Sequence, residues 1–168
     1  MKTYLCKPEK QDKATKFLVF ALMGIAFFLF FLSVRFTEIK ALLQLFTAAL
    51  LLLVIQITNR FLLTQYRYGF EDGYLLLSSR QGRKEKSLGG IPITAETKLL
   101  DRKTWEREQK SIPVSSRFSY CQNLSPKDPY YLLSPEEKGY VLLIFEPDET
   151  LLSLLNQQIQ TLKGAQYE

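Results

Sequence analysis

Two stretches of this 168-residue chain carry no charge at all. They are 17–34 (FLVFALMGIAFFLFFLSV) and 41–58 (ALLQLFTAALLLLVIQIT), separated by six residues. Eighteen helical residues rise roughly 27 Å, close to the roughly 30 Å hydrocarbon core of a bilayer. The first run holds thirteen Leu, Ile, Phe or Val residues and the second eleven. At about −0.3 to −0.6 kcal/mol each, the first favours insertion by on the order of 4 to 8 kcal/mol. A purely soluble globule is excluded, because the remaining 59–168 is too small to cover two such helices. The first run is also too long for a signal-peptide core, and no A-x-A-like site precedes Arg35.

The two spans read as a membrane hairpin whose short loop makes the helices antiparallel neighbours. Five lysines lie in 1–16, Arg60 and Arg67 follow the second span, and only Arg35 and Lys40 lie in the loop. The positive-inside rule then expects 1–16 and 59–168 in the cytoplasm of a bacterial plasma membrane. Gly24 and Ala26 fall at the depths of Leu51 and Ala49, which suits close packing within the hairpin or a further partner helix. Gln44 and Gln56 are expected to bond the other helix or to lie near the headgroups. No Asp, Glu, Lys or Arg lies within the spans, so no proton relay or ion path is indicated.

Charge is unevenly shared. The net charge is +5, most of it on the membrane flanks, while 59–168 carries 15 basic and 14 acidic residues. A nucleic-acid surface needs a basic patch on the folded domain, so nucleic acid is not expected as a partner. The chain contains no histidine, which removes His-based zinc sites and Ser-His-Asp or Cys-His catalysis. No P-loop, G-x-G-x-x-G or nucleophile elbow occurs. The pairs Glu136-Glu137 and Asp148-Glu149 are explained by turn and helix-start duties, so no enzyme, cofactor or metal is expected.

Beyond the hairpin the pattern alternates. QYRYGF (65–70), the Asp72-Gly73 turn and YLLLSS (74–79) read as a β-hairpin. A Gln81-Gly82 turn leads to KEKSL. Residues 91–99 and 112–120 each alternate as half-buried antiparallel strands, and YYLLS (130–134) with YVLLIF (140–145) forms a last hairpin. From 148 to 163, Leu151, Leu152, Leu155, Ile159 and Leu162 make one apolar stripe behind Pro147, Asp148 and Glu149. The fold class is thus a membrane helical hairpin plus a mainly-β domain of about seven strands capped by an amphipathic helix.

That order, with the junction IFEPDETLLSLL (144–155), resembles the bacterial pleckstrin-homology-like membrane proteins. The resemblance implies an antiparallel sandwich or barrel with a capping helix, used for recognition. Lipid-binding members of the wider superfamily carry basic residues in the first hairpin loop. Here Glu71-Asp72-Gly73 stands there and argues against phosphoinositide at that place.

Two features stand out as candidate contacts. Arg80, Arg83, Lys84 and Lys86 around the second turn could touch anionic headgroups or simply solvate a hairpin tip. Trp105, in the mixed-charge run 101–110, could dip into the membrane interface or pack on the sheets. Cys6 could be acylated or be a plain thiol, Cys121 is expected to be structural, and no disulfide is expected on the reducing side. The expected function is a non-enzymatic binding or scaffold protein held at the bilayer, with a protein partner or self-association. The alternative is a small accessory subunit of a transport or envelope-maintenance complex.

Overall fold

A computed structural model describes residues 4–6 and 13–165. Contacts divide the chain into two compact units, Lys10–Thr64 and the combination of Met1–Glu9 with Gln65–Glu168.

The first unit is a helical hairpin. Helix α1 spans Lys13–Arg35, and α2 spans Lys40–Ile57 and continues as a π-helical segment, Thr58–Leu63. Both are long and apolar enough to cross a membrane. Their contact seam follows a strict spacing. The less exposed positions include 15, 19, 22, 26, 29 and 33 of α1, flanked by 18 and 32, and are 43, 47, 50, 54 and 57 of α2. Alternating steps of four and three give a 3.5-residue period, the signature of coiled-coil-like packing. Thr47 donates to the carbonyl of Leu43 (2.8 Å) and Ser33 to that of Phe30 (2.7 Å), so these two seam hydroxyls are satisfied within their own helix.

The seam corrects one expectation. Ala26 is 1% exposed and sits at the contact, but a Cβ on Gly24 would meet nothing within 4 Å. Ala49 and Leu51 are exposed as well, so of the four depth-matched residues only Ala26 lies in the seam. Gln44 and Gln56 are exposed, near the two ends of α2.

The second unit contains two four-stranded sheets and two helices among the described residues. In the first sheet, β1 (Tyr4–Leu5), β2 (Thr64–Glu71), β3 (Tyr74–Gln81) and β4 (Lys84–Pro92) follow one another in space as in sequence. The β2–β3 turn is tight because Asp72 and Gly73 both adopt positive φ (50° and 79°), as an Asp-Gly hairpin turn requires. A bulge in the β3–β4 ladder falls between Leu77 and Ser78.

In the second sheet, β5 (Lys98–Leu100), β6 (Val114–Ser119), β7 (Tyr130–Glu136) and β8 (Gly139–Phe145) are arranged in the order β5-β7-β8-β6. Helix α3 is Arg102–Glu108, capped by Asp101, whose side chain accepts from Thr104 N–H at 2.9 Å. Helix α4 is Glu149–Gly164, capped by Asp148, which accepts from Leu151 N–H at 2.9 Å.

Three strand expectations change. The alternation of 91–99 is not one strand. β4 runs on to Pro92, and residues 93–97 turn because the buried Thr97 hydroxyl accepts the Thr94 N–H at 2.9 Å. The strand in 112–120 begins at Val114 and runs parallel to β8, as an exposed sheet edge, so the sheet is mixed rather than wholly antiparallel. The sheets do not close into a barrel, because β4 and β6 each end a separate sheet.

One core joins both sheets. Tyr68, Leu75, Leu132, Leu143 and Phe145 pack with Leu151, Leu155 and Ile159 of α4. On the other face of the second sheet, Leu133, Leu142 and Ile144 pack with Trp105 and Cys121. The run 140–145 is apolar throughout because β8 is covered on both faces.

Candidate functional site

The basic hairpin tip does not gather its four cations. Register sets Arg80 opposite Glu85, Gln81 opposite Lys84 and Ser79 opposite Lys86. Side chains alternate along a strand, so Lys84 and Lys86 share one face while Arg80 and Glu85 share the other. Arg80 donates to the Gly82 carbonyl (3.0 Å), and Glu85 accepts from Ser78 (3.0 Å) and pairs with Arg67 (3.6 Å). Only Lys84 and Lys86 present charge together, with Arg83 in the turn.

Trp105 is 7% exposed and stacks on Tyr131, with ring centroids 5.2 Å apart and planes 13° from parallel. The interface-anchor reading of this residue therefore gives way to packing. The short helix that carries it turns its one large apolar side chain onto the sheet.

Cys6 is 2% exposed, and burial pushes its thiol up to about 11. A buried, protonated thiol is a poor nucleophile, which speaks for the plain-thiol reading. Both cysteines are buried, and among the described residues neither forms a disulfide.

A buried polar latch has no local signature in the sequence. Glu146 is 7% exposed, and its carboxylate accepts the backbone N–H of Gln122 (2.7 Å) and Asn123 (3.4 Å). Gln122 in turn accepts the Tyr66 N–H (3.2 Å), and the Tyr68 hydroxyl donates to the Tyr120 carbonyl (2.7 Å). Burial raises the Tyr68 phenol, so it remains a donor. These bonds fix the 120–123 stretch to β2 and to the end of β8, and they act on backbone.

An apolar groove lies between the edge strands β4 and β6. It is a cavity of about 180 Å³ lined by Leu77, Leu88, Gly89, Gly90, Ile91, Phe118, Tyr120, Val141 and Leu143, none of them charged. Phe118 and Tyr120 form one wall with near-parallel rings (3°, centroids 6.4 Å apart). On the opposite rim Gly89 has φ +128°, and a Cβ there would meet nothing within 4 Å. The sequence could not show this groove, since its walls come from segments more than twenty residues apart.

A polar depression of about 580 Å³ is lined by Ser115, Ser116, Glu136, Glu137 and Lys138, with Ser115 donating to Glu136 at 2.6 Å. Among the described residues, no three His, Cys, Asp or Glu side chains are grouped to hold a metal ion.

Compared with known protein families, curated proteins and solved structures, the chain shows no match in any of the three.

Proposed function

We propose that this chain is a membrane-anchored recognition protein. More narrowly, we read the domain as pleckstrin-homology-like, held by the hairpin at the cytoplasmic face of a bacterial plasma membrane and binding a protein partner. The observation that carries the reading is β1. Tyr4 pairs with Phe70 and Leu5 with Gly69, and the Cys6 N–H donates to the Tyr68 carbonyl at 2.7 Å. The Tyr4 hydroxyl also donates to Asp148 (2.5 Å) at the start of α4.

Segments on both sides of the hairpin thus belong to one folded unit, which supports an even number of crossings and a domain on one side. The lysine-rich flank supports the cytoplasmic side. Two stacked sheets sharing a core with a C-terminal helix support the pleckstrin-homology-like reading, with the parallel β6 as a departure from it. An uncharged groove between the end strands of two sheets supports binding over chemistry.

The test places a photoreactive benzoylphenylalanine in the full chain at Phe118, Lys84, Gln157 or Phe28, followed by irradiation of intact cells. Protein cross-linked from a domain position is the expected result. Cross-links from Phe28 alone would favour an accessory subunit that works through its hairpin.

A further inference from the structure

The groove between β4 and β6 is bordered by the ends of two sheets, and this decides what can fill it. An edge strand presents a row of backbone N–H and C=O groups, which another strand can pair with and an acyl chain cannot. The cavity volume points the same way. About 180 Å³ is well below the roughly 300–1,000 Å³ of small-molecule pockets, and near the roughly 150 Å³ that accepts a benzene ring. That room suits one large apolar side chain.

The two edges are not equivalent. β4 is interrupted by its bulge and by the positive φ of Gly89, both of which disturb a regular ladder. β6 keeps unbroken register with β8 from Ser116 to Ser119. Phe118 lies level with Leu143 on the cavity side, so Arg117, level with Leu142, faces the opposite side and is exposed. On the facing hairpin Glu85 is engaged by Arg67 and Ser78, while Lys84 and Lys86 share the opposite face and are exposed.

We propose that this groove takes an extended segment of a partner protein as a strand added to β6. A large apolar side chain of that segment enters the cavity, and an adjacent acidic residue lies beside Arg117. Neighbouring residues of a strand point to opposite faces, so an acidic residue next to an aromatic one meets both features at once. The proposal rests on reading the domain as a binding module, and it names the partner's chemistry.

The test uses the full chain in phosphatidylcholine nanodiscs and a fluorescent, end-capped peptide of alternating Thr and Val with a central Glu-Phe pair. Saturable binding is expected, weakened about tenfold when the peptide's Phe becomes Ala and about threefold when its Glu becomes Lys. Arg117→Glu in the protein should reverse the Glu-over-Lys preference, and its exposed position spares the fold. Absence of saturable binding, equal binding of the peptides, or indifference to Arg117→Glu would each overturn the proposal. Displacement of the peptide by oleate with no dependence on Arg117 would assign the cavity to an acyl chain and also overturn it. If the peptide fails while benzoylphenylalanine at Gln157 still captures protein, the recognition reading stands and only the groove is lost.

Discussion

Gly139 opens β8 where no side chain fits. Its φ is +135°, and a Cβ would lie 2.5 Å from the Pro113 carbonyl oxygen, the same oxygen that accepts the Tyr140 N–H at 2.9 Å. Gly139→Ala is therefore expected to cost about 1–3 kcal/mol. Gly164→Ala, with nothing within 4 Å and no positive φ, should stay within about 0.5 kcal/mol. Urea midpoints of the two variants give the comparison.

Asp148 makes a pH prediction at the same scale. Partial burial works to raise its pKa, but hydrogen bonds from Tyr4, from the Leu151 N–H and from Cys6 outweigh that and hold it below the usual carboxylate value. A depressed folded pKa means the carboxylate's contribution is present above the unfolded pKa of about 3.9. It is lost as pH falls through the lower folded value. Asp148→Asn keeps a capping side chain but removes the titration. Its stability should thus fall less steeply than wild type below about pH 4, as read from denaturant midpoints across that range.

At the scale of elements, α4 is the domain's apolar lid. Leu155 is fully buried against both sheets' core, so truncation alone would cost about 2–5 kcal/mol, and an unpaired carboxylate adds to it. Leu155→Asp should abolish the domain's near-ultraviolet circular dichroism while the hairpin keeps its helical signal. In the hairpin, Ala26→Leu should overpack the seam by about 1–3 kcal/mol, whereas Gly24→Leu should be tolerated. Hairpin unfolding in mixed micelles separates the two.

These elements also show what the sequence could tell. The α4 stripe and the Asp72-Gly73 turn were legible because spacing and turn chemistry are local. The seam of α1 was harder to read, since both seam and lipid-facing positions of 17–32 are apolar and the small residues Thr15, Ala26 and Ser33 are what mark the contact. The parallel pairing of β6 left no local signal, because it depends on which long-range partner the strand meets. The 93–97 turn was hidden by an alternation that happened to continue through it. Strand β1 is two residues long and lies more than sixty residues from its partner, so no window on the sequence contains both. The groove follows from these last placements, and it was illegible for the same reason.

At the scale of the whole molecule, the central claim is that both flanks of the hairpin build one domain on the cytoplasmic side. Residues 65–168 alone would lack β1 and uncover the β2 edge, so the full chain is the right object to test. In a background with Cys6 and Cys121 replaced by Ser, single cysteines at Glu38, in the connecting loop, and at Gln81, on the β3–β4 hairpin, report the two sides. With an impermeant thiol reagent on intact cells, Glu38→Cys should be labelled and Gln81→Cys spared until the membrane is opened. Labelling of Gln81→Cys in intact cells with Glu38→Cys protected would contradict the account.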